Sequence, residues 1–158
     1  MADTRRVLLV ANRTATTEAL QGAVRHETEH GPVRFHLVVP ATPRGLHRFA
    51  DPEVAGQDAA RERMAVALPL LSAAAGSEVT GQIGDAEPQA AIQDALNGSR
   101  FDQVIISTLP RRLSRWLRCD LPSKARHLGL PVTHLEAEPS LDAAGSDLAA
   151  ERELAHAA

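Results

Sequence analysis

Val7-Leu8-Leu9-Val10-Ala11 contains no polar residue and no alternation. A strand with one face in water alternates apolar and polar side chains, whereas a strand covered on both faces reads as a continuous branched run. The run therefore predicts a central strand of a parallel sheet with helices on either side. Thr17 to Glu29 follows with Leu20, Ala23, Val24 and Glu27 at helical spacing, and Gly31-Pro32 stops it. Val33 to Val39 is a second strand, closed by Pro40, and Ala41 to Gly56 is a Pro/Gly-bearing connection.

The alternation continues to the end of the domain. Gln57 to Ala75 is a long helical pattern with Ala60, Met64, Ala67, Leu68, Leu71 and Ala75 on one face, and Pro69 predicts a kink or break. Glu78 to Ile83 is a weaker strand because Gly81 interrupts it. Asp85 is placed to cap the next helix, Pro88 suits its first turn, Ile92, Ala95 and Leu96 form its buried stripe, and Asn97-Gly98 ends it. Asp102 to Ser107 is a fourth strand, Asp120 to Leu128 a short helix and Pro131 to Glu136 a fifth strand. Strands alternating with helices predict an α/β three-layer sandwich with a mostly parallel sheet and right-handed crossovers. The domain spans residues 1–138. The tail 139–158 is either an Ala/Glu helix from Ser146 or loose.

Length and composition narrow the function. The 158 residues hold one ordinary core, with 44% apolar and 23% charged residues, so neither a second full domain nor wholesale disorder is expected. The longest apolar stretch, Met64 to Ala75, is broken by Pro69 and Ser72, and the run after Arg5-Arg6 is short for a signal peptide. The single Cys119 permits no internal disulfide and suits a cytoplasmic protein. Seventeen basic and twenty acidic residues give a net charge of −3, which draws the chain neither to nucleic acid nor to a membrane. Phe35, Phe49, Phe101 and Trp116 are its aromatics, too few for a base-stacking platform. Of the basic residues only Lys124 is lysine, a composition expected of a GC-rich bacterial genome.

Ligands of such sheets bind beyond the strand C-termini, at the point where strand order reverses. Ala11 to Thr14, Val39 to Pro43, Gly84-Asp85 and Ser107 to Asp120 are the places to search. Ala11-Asn12-Arg13-Thr14 has no glycine for a dinucleotide fingerprint, and Lys124 follows no glycine-rich loop. Ser107-Thr108 imitates a phospho-receiver, yet no acidic pair follows the first strand to hold Mg²⁺. His26-Glu27-Thr28-Glu29-His30 matches a zinc-protease string by letter. Its helix ends at once and no third ligand follows, so solvated histidines at a helix C-terminus, and no metal, are expected. In Arg111 to Arg118, Arg111, Arg112, Arg115 and Arg118 share one helical arc and Leu113, Trp116 and Leu117 the other. That pattern is an amphipathic helix anchored by Trp116, or a clamp for phosphate.

Taken with VLLVANRT from Val7, the Gly84-Asp85-Ala86-Glu87-Pro88-Gln89-Ala90-Ala91-Ile92 turn and Phe101 to Ser107, these residues resemble a universal stress protein domain. Leu113-Ser114-Arg115-Trp116-Leu117 and Leu130-Pro131-Val132 continue the resemblance, which covers Arg5 to Glu136. It implies five parallel strands in the order 3-2-1-4-5, a Rossmann-like topology of the adenine nucleotide alpha hydrolase type, a frequent homodimer, and ATP in some members. ATP-binding members carry aspartate where Asn12 stands, and a G-x-x-G, nine residues, G-[ST] loop after strand four. Aligned without gaps on Leu113-Ser114-Arg115, those glycines fall on Ile106, Leu109 and Cys119, and the Ser/Thr on Asp120. Glycine there lets phosphate approach backbone N–H groups. Leu109 fills the space, Pro110 offers no amide, and Asp120 adds a carboxylate, which is also placed to cap the helix behind it.

The expectation is a non-enzymatic stress-response or regulatory domain with no cofactor, its ATP site degenerate, acting through a protein partner or small ligand. The alternative is a protein that binds ATP or AMP with an arginine-rich loop. The candidate site comprises Ala11, Asn12 and Arg13; Val39 and Pro40; Ser107, Thr108 and Leu109; and Arg111, Arg112, Arg115, Cys119 and Asp120. Strand five, at a sheet edge, or the helices beside it are expected to pair two copies into a homodimer, the alternative being that the C-terminal tail covers the edge.

Overall fold

A computed structural model describes residues 3–41 and 52–138. Its five strands are β1 (Arg5–Val10), β2 (Val33–Pro40), β3 (Thr80–Gly84), β4 (Gln103–Thr108) and β5 (Val132–Glu136). They form one sheet in the order β3-β2-β1-β4-β5 with every pairing parallel. The helices are α1 (Glu18–Thr28), α2 (Pro52–Ala75), α3 (Pro88–Gly98), α4 (Arg115–Arg118) and α5 (Leu121–Arg126). None is long and apolar enough to cross a membrane. The tail from Pro139 and the loop beyond Ala41, Pro43 included, lie outside the described residues.

The opening run of β1 divides as a two-sided strand must. Val7 and Leu9 point into a cluster with Leu37, Val39 and Ile105, closed by Leu20 and Val24 of α1 and by Ala60, Ala67 and Leu71 of α2. Leu8 and Val10 point the other way, against Val38, Val104, Ile106, Ala91, Ile92 and Ala95 of α3, and Leu121 and Ala125 of α5. All four β1 side chains are fully buried. Two cores share one sheet.

Several local expectations change. α2 passes through Pro69 unbroken and starts five residues before Gln57, because the missing donor falls inside a helix held by its buried face. β3 lies at Thr80–Gly84, two residues later than Glu78 at its start, where it pairs with His36 to Pro40. Asp85 is not the cap residue of α3, which is Glu87 with no side-chain cap bond. Its carboxylate instead accepts the Glu87 N–H at 2.8 Å, an Asx turn that aims the chain into the helix.

The arginine segment is not one amphipathic helix. Arg111 to Leu113 form a turn closed by the Leu113 N–H on the Pro110 carbonyl at 2.8 Å. Only Arg115–Arg118 is helical, started by Ser114, whose hydroxyl accepts the Leu117 N–H. Leu113 is exposed, while Trp116 packs partly against the α3/α5 core as an anchor. A hydroxyl cap at Ser114 outweighed the periodicity.

Candidate functional site

The C-terminal ends of β1, β2 and β4 are laced together by hydrogen bonds between residues distant in sequence. The Ala11 N–H donates to the Val38 carbonyl at 3.2 Å and the Ala41 N–H to the Gly84 carbonyl at 3.1 Å. Thr14, buried, donates its hydroxyl to the Ser107 carbonyl at 3.1 Å. Sheet order puts the reversal between β1 and β4, so Asn12, Arg13, Ser107 and Thr108 stand at the switch point.

Asn12 is committed on both sides of its amide. Its Nδ2 donates to the Pro40 carbonyl at 2.8 Å, and its Oδ1 accepts from the Arg63 guanidinium of α2. Arg63 escapes sequence reasoning: it lies fifty-one positions from Asn12 on a charged turn of helix that reads as solvated. The signal that could have found it is its place one residue before Met64, at the border of the buried face.

Beyond β4 the candidates differ in burial and in partners. Ser107 and Leu109 are buried, and the Ser107 Oγ has no hydrogen-bond partner among the described residues. Thr108 shares a 2.8 Å hydrogen bond with His134 Nε2 on β5. Arg111, Arg112, Arg115, Cys119 and Asp120 are exposed, and among the described residues no hydrogen bond joins them to Asn12. The Arg118 guanidinium donates to the Arg112 carbonyl at 3.3 Å, which holds the turn closed.

Asp120 does not cap α5 as expected. It occupies the cap position in left-handed backbone, φ 54° and ψ 43°, and its side chain makes no cap bond. It is the one positive-φ residue other than glycine among those described. A side chain costs about 1–2 kcal/mol in this region, less for Asp than for most. Asp120→Gly is therefore expected to hold stability or raise it by about 1 kcal/mol, and Asp120→Ala to lower it by a similar amount. Equal losses for both in urea denaturation would show that the carboxylate, not the backbone, matters.

His134 adds a pH dependence. Burial lowers its pKa from the ordinary 6.5, Glu136 opposes the shift, and the nearby Arg126 charge reinforces it. The unfolded chain takes up this proton more readily than the native one, so the native state is fully favoured above pH 6.5 and loses that share as pH falls below it. His134→Gln is expected to flatten this acid limb. An unchanged pH profile of the melting temperature would contradict it.

His26 and His30 do not share a rigid helix wall. α1 ends at Thr28, both rings are exposed, and His30 Nδ1 lies 2.9 Å from the His26 carbonyl. Among the described residues no three His, Cys, Asp or Glu side chains gather as a metal site would require.

No family model matches the chain, and no curated protein does. Solved structures do. A universal stress protein from Archaeoglobus fulgidus matches at a TM-score of 0.57 and 17% identity, over 82% of this chain and 92% of that one. The A. fulgidus protein in complex with dAMP matches at 0.51 and 19%, over 85% and 98%. A universal stress protein in complex with cAMP matches at 0.55 and 13%, over 88% and 100%. The five parallel strands, their order and the flanking helices are thus those of the universal stress protein fold.

Proposed function

We propose that this chain is a non-enzymatic regulatory domain of the stress-response type that does not hold ATP in the manner of a glycine-loop site. The loop after β4 carries the reading. Leu109 is buried where a phosphate would need open backbone, Pro110 has no N–H, and the Pro110 carbonyl closes a turn with Leu113. Asn12 supports it, because an amide engaged by Pro40 and Arg63 has little left to offer a ribose. Two copies pair through the β5 edge, and a cytoplasmic location suits the lone cysteine. A monomer mass in light scattering would remove the dimer.

A second reading is favoured by Arg63. A guanidinium at the end of β1 suits one phosphate better than three, and structurally similar proteins are seen with dAMP and cAMP. Calorimetry with MgATP, AMP and cAMP on the wild type and Arg63→Ala separates the two. No MgATP binding is expected, and micromolar MgATP affinity would overturn the first reading. AMP or cAMP affinity that falls in Arg63→Ala would establish the second.

A further inference from the structure

The opposite end of the sheet holds a groove that neither reading uses. It lies at the N-terminal ends of β1 and β2, has a volume of about 640 Å³, and is lined among others by Arg6, Arg34, His36, Glu78, Thr80 and Phe101. That volume falls within the roughly 300–1,000 Å³ of small-molecule sites.

Its charge distribution calls for an anion. Arg6 and Arg34 are register partners on adjacent strands, so their side chains leave the same face of the sheet one strand spacing apart. Like charges placed opposite one another on neighbouring strands repel. Both residues are exposed, and among the described residues neither guanidinium is ion-paired. The Asp102 carboxylate accepts the Arg6 backbone N–H at 2.8 Å and forms an ion pair with neither guanidinium. Among the described residues Glu78 is the one carboxylate on the groove wall, against two guanidinium groups.

The remaining walls are fixed. The Arg6 guanidinium lies 5.3 Å from the centre of the Phe101 ring, which holds it over an apolar floor. His36 is held at both nitrogens, by the Thr80 hydroxyl at 2.7 Å and Gln82 Oε1 at 2.9 Å, and its ring lies 6.1 Å from Phe101. The groove thus sets its two guanidinium groups beside the Phe101 and His36 rings.

We propose that this groove binds a small phosphorylated organic molecule, its phosphate held between Arg6 and Arg34 and its body against Phe101 and His36. Two guanidinium forks offer donors on two sides of a tetrahedral phosphate, which is the geometry arginine serves best. The site is independent of the crevice at Asn12, from which it is separated by the length of β1.

Phenyl phosphate, titrated into isotopically labelled full-length protein and followed by amide NMR shifts, tests this. Saturable shifts are expected at residues 34–36, 78–80 and 101–102, with binding weaker by about tenfold in Arg34→Gln and in Arg6→Gln. Both arginines are exposed, and a melting temperature equal to wild type checks that each variant is folded. No saturation by about 10 mM, or shifts confined to residues 11–14 and 107–120, would overturn the proposal. Inorganic phosphate binding as tightly as phenyl phosphate would overturn it as well, since the aromatic floor would then recognise nothing.

Discussion

Gly84→Val is expected to lower stability by about 3 kcal/mol, the upper end of what overpacking costs. A Cβ built on Gly84 would lie 2.6 Å from Ala91 Cβ and 2.9 Å from Val38 Cγ1. Both neighbours are fully buried, one on α3 and one on β2, so neither can swing aside. Gly84 is what lets α3 approach the sheet. The consequence reaches the site as well, because the Gly84 carbonyl accepts the Ala41 N–H at the end of β2. Urea denaturation should show a lower midpoint at an unchanged slope. If the Ala91 contact is the cause, Gly84→Ala combined with Ala91→Gly will cost less than the two single changes added together. Strict additivity would place the cause elsewhere.

Leu109→Gly is expected to cost about 2–4 kcal/mol, from a lost buried side chain and a more flexible unfolded chain. Leu109 is only 6% exposed, so its side chain belongs to the packed interior and not to an open loop. The loop cannot be returned to a phosphate cradle by one glycine at no cost. Reopening it exchanges packing for a ligand site, and a variant with glycine at 109 and 119 and serine at 120 must be assayed below its lowered melting point. A Leu109→Gly protein as stable as wild type would mean that the position is an open loop after all. The proposed function would then lose its main support.

The parallel architecture was legible because its signals are local. Val7 to Ala11 reads as doubly buried from five consecutive letters, and the two cores divide those letters alternately as a period of two demands. The apolar stripe of α2 likewise appears at Ala60, Ala67 and Leu71, since a period of 3.6 needs no knowledge of the partner. The strand order came from the resemblance, through the strand-one, Gly84 to Ile92 and Leu113 to Leu117 segments. Only hydrogen-bonded pairing between strands far apart in the chain could decide it.

The site depended on tertiary structure. Asp120 has the composition of a helix cap, but the short connection from α4 to α5 turns it into left-handed backbone, where its carboxylate reaches no amide of the helix. Arg111 and Arg112 fit a helical arc by spacing, yet Pro110 and the Ser114 cap confine the helix to four residues. Arg63 and Asn12, or Arg6 and Arg34, are strangers in sequence that the sheet and its crossing helix bring together. The sequence by itself therefore determined the five strands, the three long helices and their buried faces, because backbone periodicity and side-chain hydrophobicity act over a few residues. Which charges meet, which amides are spoken for and which loop residue is packed away follow only when distant segments are closed against one another.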